Sequence, residues 1–224
     1  MEREDKFPLH TAAREGRGES DPKLSQRKDD DGRYPIHWAA SSNNLEIVQL
    51  LAGQRSFDDA SGWSPLMISA SVPDNEAVLK HIISKDADVN LKNSTGQTAL
   101  HFVASKKNLD IARILIENGA SARVRDRRGQ YPLHRAAAVG SVPMVNLLLK
   151  NRSPLNPTDN DGYTPLHHAI AEGHGDTAVA LLKEGADFTL KNSADELALD
   201  LAPDKEVRQY ILQGAEREGI ELSG

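Results

Sequence analysis

The chain has no cysteine among its 224 residues. It can therefore build no disulfide framework, no thiolate metal cluster and no thiol nucleophile. Aromatics are also scarce, at 4% against 38% hydrophobic overall, so the core must come from Ala, Leu, Ile and Val. No run approaches the roughly 18 apolar residues of a membrane span. Met1-Glu2-Arg3-Glu4-Asp5-Lys6 is charged where a secretion signal is apolar. The expected location is therefore cytoplasmic and nuclear, and the glycosylation sequons at Asn93 and Asn151 are expected to be chance matches. A net charge of −6 disfavours general nucleic-acid binding, which needs a positive footprint on the phosphates. P-loop, H-E-x-x-H and G-x-S-x-G motifs are all missing, so neither an enzyme nor a cofactor is expected.

What is present is a repeat. Phe7-Pro8-Leu9-His10, Tyr34-Pro35-Ile36-His37, Ser64-Pro65-Leu66-Met67, Thr98-Ala99-Leu100-His101, Tyr131-Pro132-Leu133-His134, Thr164-Pro165-Leu166-His167 and Leu197-Ala198-Leu199-Asp200 follow one another along the chain. Their second residues stand at 8, 35, 65, 99, 132, 165 and 198, with gaps of 27, 30, 34, 33, 33 and 33. A T-P-L-H-x-A core on a period near 33 is the ankyrin-repeat signature. It predicts an all-α fold: one ankyrin-repeat solenoid over residues 1–224, of seven helix-turn-helix repeats with β-turn fingers and a concave binding face. The repeats start near 5, 32, 62, 96, 129, 162 and 195.

Within a unit, Asp126-Arg127-Arg128-Gly129 reads as a turn, and Pro132 as the first residue of a helix, where its missing N–H costs nothing. Leu133, Ala136 and Ala137 give the inner helix an apolar stripe, Val139-Gly140 breaks it, and Val145, Leu147, Leu148 and Leu149 carry the outer helix. One unit cannot bury such a face alone, and stacked neighbours supply the core. His10, His37, His101, His134 and His167 share one motif position, a repeat apart rather than at metal-ligand spacing. They are expected to bond the backbone of adjoining turns. His168 and His174 lie off that position and are expected to be free for a partner.

The pattern departs from itself in places. The first repeat is about six residues short, and residues 14–22 have no apolar stripe, which predicts a reduced cap. The turn near 53–59 is abbreviated. The third repeat has Met67 for histidine, and Val72-Pro73-Asp74-Asn75 lengthens the link between its helices. A charged final helix around 205–213 is expected to face solvent as a C-terminal cap.

Two positions per repeat are left to recognition. The residue after the motif histidine reads Thr11, Trp38, Ile68, Phe102, Arg135, His168, and the residue after the turn glycine reads Arg33, Trp63, Gln97, Gln130, Tyr163. Large aromatic and Arg side chains at such places make binding hot spots. Charge is segregated as well: Asp29, Asp30, Asp31, Asp58 and Asp59 lie early, and Arg123, Arg125, Arg127, Arg128 and Arg135 late. A partner is expected to set basic groups against the first set and acidic groups against the second. The candidate partner-binding residues are Asp31, Arg33, Trp38, Asp59, Trp63, Ile68, Phe102, Lys106, Arg128, Arg135, Tyr163, His168 and Glu172. No residue is assigned to catalysis or to a metal.

Ala60-Ser61-Gly62-Trp63-Ser64-Pro65-Leu66, Leu115-Ile116-Glu117-Asn118-Gly119-Ala120, Pro132-Leu133-His134-Arg135-Ala136-Ala137 and Ala171-Glu172-Gly173-His174-Gly175-Asp176 resemble the gankyrin family, its fungal members above all. The resemblance implies a non-catalytic assembly chaperone, monomeric when free. It would bind the C-terminal domain of one AAA-type ATPase subunit of the proteasome regulatory particle and sterically control its docking on the proteolytic core. The surface implied is Trp38, Trp63, Phe102 and Arg135 with the charged fingers. Animal members carry L-x-C-x-E in the sixth repeat, linked to retinoblastoma-protein binding. Residues 168–172 keep only the final Glu172, so that activity is not implied. The residues alone leave open a general ankyrin scaffold or inhibitor that masks a kinase or a transcription factor.

Overall fold

One Asp or Asn opens each finger, and its side chain shapes the turn. Asp59 Oδ1 accepts the amides of Ser61 (2.8 Å) and Trp63 (2.9 Å), while Asp59 N donates to Trp63 O at 2.9 Å. The same arrangement recurs at Asp29, Asn93, Asp126, Asp159 and Asn192. The residue three places on has positive φ and is Gly in every finger but the last, where Asp195 takes φ 65. Successive fingers are joined by single backbone bonds, Ala60 N to Asp31 O, Ser94 N to Ser61 O, Asn160 N to Arg128 O and Ser193 N to Asp161 O. At Gly162 (φ +79) an added Cβ would stand 2.7 Å from Ser193 N. Gly162→Ala is therefore expected to cost about 2 kcal/mol, read as a lower thermal midpoint.

The computed structural model describes residues 7–15, 26–51 and 58–222, and the chain divides into two compact units, 1–99 and 100–224. The first holds α1 (Pro8–Glu15), α2 (Pro35–Ser41), α3 (Leu45–Leu51), α4 (Pro65–Ser71) and α5 (Glu76–Ile83). The second holds α6 (Ala99–Lys106), α7 (Leu109–Glu117), α8 (Pro132–Ala138), α9 (Val142–Lys150), α10 (Pro165–Ala171), α11 (Gly175–Lys183), a 3-10 turn (Ala198–Leu201) and α12 (Lys205–Arg217). In unit one α1 packs on α2 and α2 on α4, with α3 and α5 behind them; in unit two α8 packs on α10, with α7, α9 and α11 behind. Proline begins α2, α4, α8 and α10, and buried Ala39, Ala40, Ala70, Ala136, Ala137 and Ala169 let inner helices approach closely. Among the described residues no helix is long and apolar enough to cross a membrane.

The motif histidines bridge repeats as expected. Their Nε2 groups donate to Arg33 O (His10, 2.9 Å), Trp63 O (His37, 3.1 Å), Gln130 O (His101, 3.1 Å), Tyr163 O (His134, 3.1 Å) and Glu196 O (His167, 3.4 Å). In His37, His134 and His167, Nδ1 accepts the amide of the residue capping its own helix, which fixes the neutral tautomer.

Some expectations need correcting. In α9 the buried stripe is Met144, Val145 and Leu148; Leu147 and Leu149 are half-buried, because the stripe follows the helical period rather than the run of leucines. The last helix continues to Arg217 and buries Ile211 and Ala215. The longer link in the third repeat is confirmed: Asp74 takes φ 54, and fully buried Asn75 donates from Nδ2 to Ala40 O at 2.7 Å. Residues 16–25 and 53–57, which carry most of the reduced-cap and short-turn expectations, lie outside the described residues. Asn93 is buried with Oδ1 bonded to its own finger amides, so that sequon has a structural use.

Candidate partner-binding site

The side chain after the motif histidine returns to the turn residue nine positions earlier. Trp38 Nε1 donates to Asp29 Oδ2 at 2.8 Å, Arg135 Nη2 to Asp126 Oδ2 at 3.0 Å, and His168 Nε2 lies 2.9 Å from Asp159 Oδ2. Burial pushes all three carboxyls up, but hydrogen bonds outweigh it and hold them below the ordinary Asp range. For Asp29 these come from the Arg33 amide, the Trp38 indole and the Asp31 amide; for Asp126, from the Gln130 amide and Arg135; for Asp159, from Gln130, His168 and the Tyr163 amide. Gln130 Nε2 reaches Asp159 Oδ2 from the preceding finger at 3.0 Å.

This changes the standing of three candidates. His168 is not free, since it is paired with a carboxylate whose side chain is 3% exposed. Arg135 is tied to Asp126, whose side chain is 1% exposed. Asp59 is itself buried, its carboxylate facing Arg33 Nε at 3.6 Å, because a turn-opening Asp must point inward to reach its amides.

Two grooves gather most of the rest. In unit one Arg33, Trp38, Asp59, Trp63 and Ile68 line a groove of about 290 Å³ with His37, Ser41, Ser61, Ser71 and Val72. Arg14 stacks its guanidinium over Trp38, 5.5 Å from the ring centre. In unit two Arg128, Tyr163 and His168 line an open cleft of about 480 Å³ with Gln130, Asp159, Asp161, Ser193 and Ala194. Asp31, Phe102, Lys106, Arg135 and Glu172 line neither; Asp31, Lys106 and Glu172 are exposed, Phe102 and Arg135 half-buried. The candidate set omitted Ser41 and Ser71, three places after Trp38 and Ile68, and that spacing on an inner helix was the available signal. The early acidic charge is thinner than the sequence suggests: Asp29 and Asp59 work inside their fingers, Asp58 is half-buried with its carboxyl pushed up by burial, and Asp30 and Asp31 stand exposed. The late Arg127 and Arg128 are exposed, while Arg123 bonds Arg152 O and Arg125 reaches Asn160. Among the described residues no group of three His, Asp or Glu side chains is arranged for a metal ion.

Each unit thus carries a groove, aromatic in the first and charged in the second. The family model for ankyrin repeats (three copies) matches residues 9–93, 71–156 and 100–192. An ankyrin repeat-containing protein of Schizosaccharomyces pombe is 40% identical over 213 residues, 91% of this chain and 90% of that one. The probable 26S proteasome regulatory subunit p28 of Saccharomyces cerevisiae is 39% identical over 126 residues, 50% of this chain and 55% of that protein. Among solved structures, the ankyrin repeat domain of Bcl-3 superposes with TM-score 0.76 over 93% of this chain and 99% of that one, at 24% identity, a likeness of fold alone.

Proposed function

The chain belongs to the ankyrin-repeat family, whose members are protein-interaction scaffolds, and from that premise we propose that it serves as an assembly chaperone of the proteasome regulatory particle. In this reading it holds the C-terminal domain of one AAA-type ATPase subunit, and the bound chain sterically delays docking of the ATPase ring on the proteolytic core. The similarity to the proteasome subunit p28 is the observation that carries the reading, together with the gankyrin-like phrases between Ala60 and Asp176. The Trp38–Trp63 groove supplies an anchoring pocket, and Arg127 and Arg128 supply positive charge for an acidic patch. Work of this kind belongs in the cytoplasm and nucleus, and needs no catalysis and no cofactor.

The test is calorimetric titration of this chain against the isolated C-terminal domains of the six proteasomal ATPases at two salt concentrations. Tight, salt-sensitive binding to one domain supports the chaperone. No binding to any of them favours the alternative, a general scaffold or inhibitor masking a kinase or a transcription factor. Once a domain is found, Trp38→Ala is expected to weaken its binding by about 2 kcal/mol or more; unchanged affinity in the same titration assigns Trp38 to packing.

A further inference from the structure

Three fingers use the two oxygens of one carboxylate for separate tasks. In Asp29, Asp126 and Asp159, Oδ1 caps the finger amides, and Oδ2 takes a hydrogen from the side chain nine residues on. In the fingers opened by Asn93 and Asn192, Oδ1 takes the finger amides, and Asn192 Nδ2 donates to Glu196 Oε2 of its own finger at 2.8 Å. Nine residues after them stand Phe102 and Leu201, which have no side-chain hydrogen to donate. An amide therefore suffices to fold a finger, and a second carboxylate oxygen accompanies a donor. Asp59 is the exception: it precedes Ile68, and its Oδ2 faces Arg33 instead.

We infer that Asp29, Asp126 and Asp159 are positioning residues, which hold Trp38, Arg135 and His168 in one orientation on the binding surface before the partner arrives. The partner's identity rests on the proposed function; the positioning does not. A side chain already immobilised loses less freedom on binding. The matching also ties recognition to the fold: Trp38 and His168, which line the two grooves, brace the turns beside them, and Arg135 does the same outside them.

The experiment is Asp29→Asn, which keeps the finger-building oxygen, as Asn93 and Asn192 do, and removes the acceptor for the indole. The thermal midpoint is expected to change little. The Trp38 indole N–H, read by ¹H–¹⁵N NMR with Trp63 as internal reference, is expected to exchange with solvent about tenfold faster. Affinity for the ATPase domain selected by the titration is expected to fall by a similar factor. Trp38→Phe alone leaves Asp29 Oδ2 unpaired and is expected to lower the midpoint; adding Asp29→Asn recreates the Asn93–Phe102 pairing and restores it. An indole that stays protected in Asp29→Asn, or a Trp38→Phe midpoint that the second change does not raise, overturns the assignment. If the unaltered protein binds none of the six domains, the proposed partner falls, and the indole and midpoint readings still decide the positioning.

Discussion

Arg135→Glu is expected to destabilise the protein by about 3–5 kcal/mol, a loss in folding larger than any it causes in binding. The guanidinium is the charged partner of Asp126 Oδ2 at 3.0 Å, and that carboxylate is almost wholly enclosed. Asp126 Oδ1 is already held by the amides of Arg128 and Gln130, so the side chain cannot swing away without opening its finger. A glutamate there would place a second negative charge against a buried one, with no cation to compensate. Its place after the motif histidine alone would suggest the opposite, a variant weak in binding and intact in melting. Urea unfolding at pH 7 decides between them, with Arg128→Glu as the comparison: Arg128 is exposed, and its reversal should leave the midpoint nearly unchanged. A normal midpoint for Arg135→Glu would mean that Arg135 does not brace its finger.

Mild acid is expected to weaken the fold before Asp29, Asp126 and Asp159 titrate. Burial, with the neighbouring His168 adding to it, pushes His134 down from 6.5 to about 4; burial likewise lowers His37 and His167. Such a ring stays neutral when folded, while its unfolded counterpart takes a proton below pH 6.5. The unfolded state then binds more protons, so stability is whole above 6.5 and is lost as pH falls towards 4. Between pH 7 and 5, His134 alone should remove about 2 kcal/mol. Asp29, Asp126 and Asp159, held below their ordinary range, add their own loss only as pH falls through and below about 4. Denaturant titrations at pH 7, 6 and 5 check this. A flat free energy across that span would mean that His134 titrates freely when folded.

Much of the fold was legible because its determinants are local and periodic. Turn-opening Asp or Asn, glycine three places on, proline at the helix start and histidine three residues after the helix cap each act within a few residues. Most copies repeat most of the message. The candidate site is only partly legible in the sequence, because the position after the motif histidine looks free there, whereas Trp38, Arg135 and His168 each carry a bond back across nine residues. Trp38, Arg135 and His168 share no chemical class, only a hydrogen to donate, so a search by residue type misses what unites them. The pairing of Asp with a donor, and of Asn with Phe102 or Leu201, was written in the chain but needed the geometry to give it meaning. The stripe of α9 shows a milder case: a run of three leucines drew attention from Met144, which the helix turns inward.

The histidine bridges also give the array a direction. The rings of His37, His134 and His167 accept behind and donate ahead, so such a repeat presents a proton to its successor in the manner of a growing polymer end. At the last motif the ring is replaced by Asp200, whose Oδ2 accepts the Leu197 amide at 3.1 Å just as an imidazole Nδ1 does. A carboxylate has no proton to pass forward. Asp200 thus leaves the relay open at its far end, as Met67 interrupts it in the third repeat, and restoring histidine there would give a grafted repeat the bridge that the other copies carry.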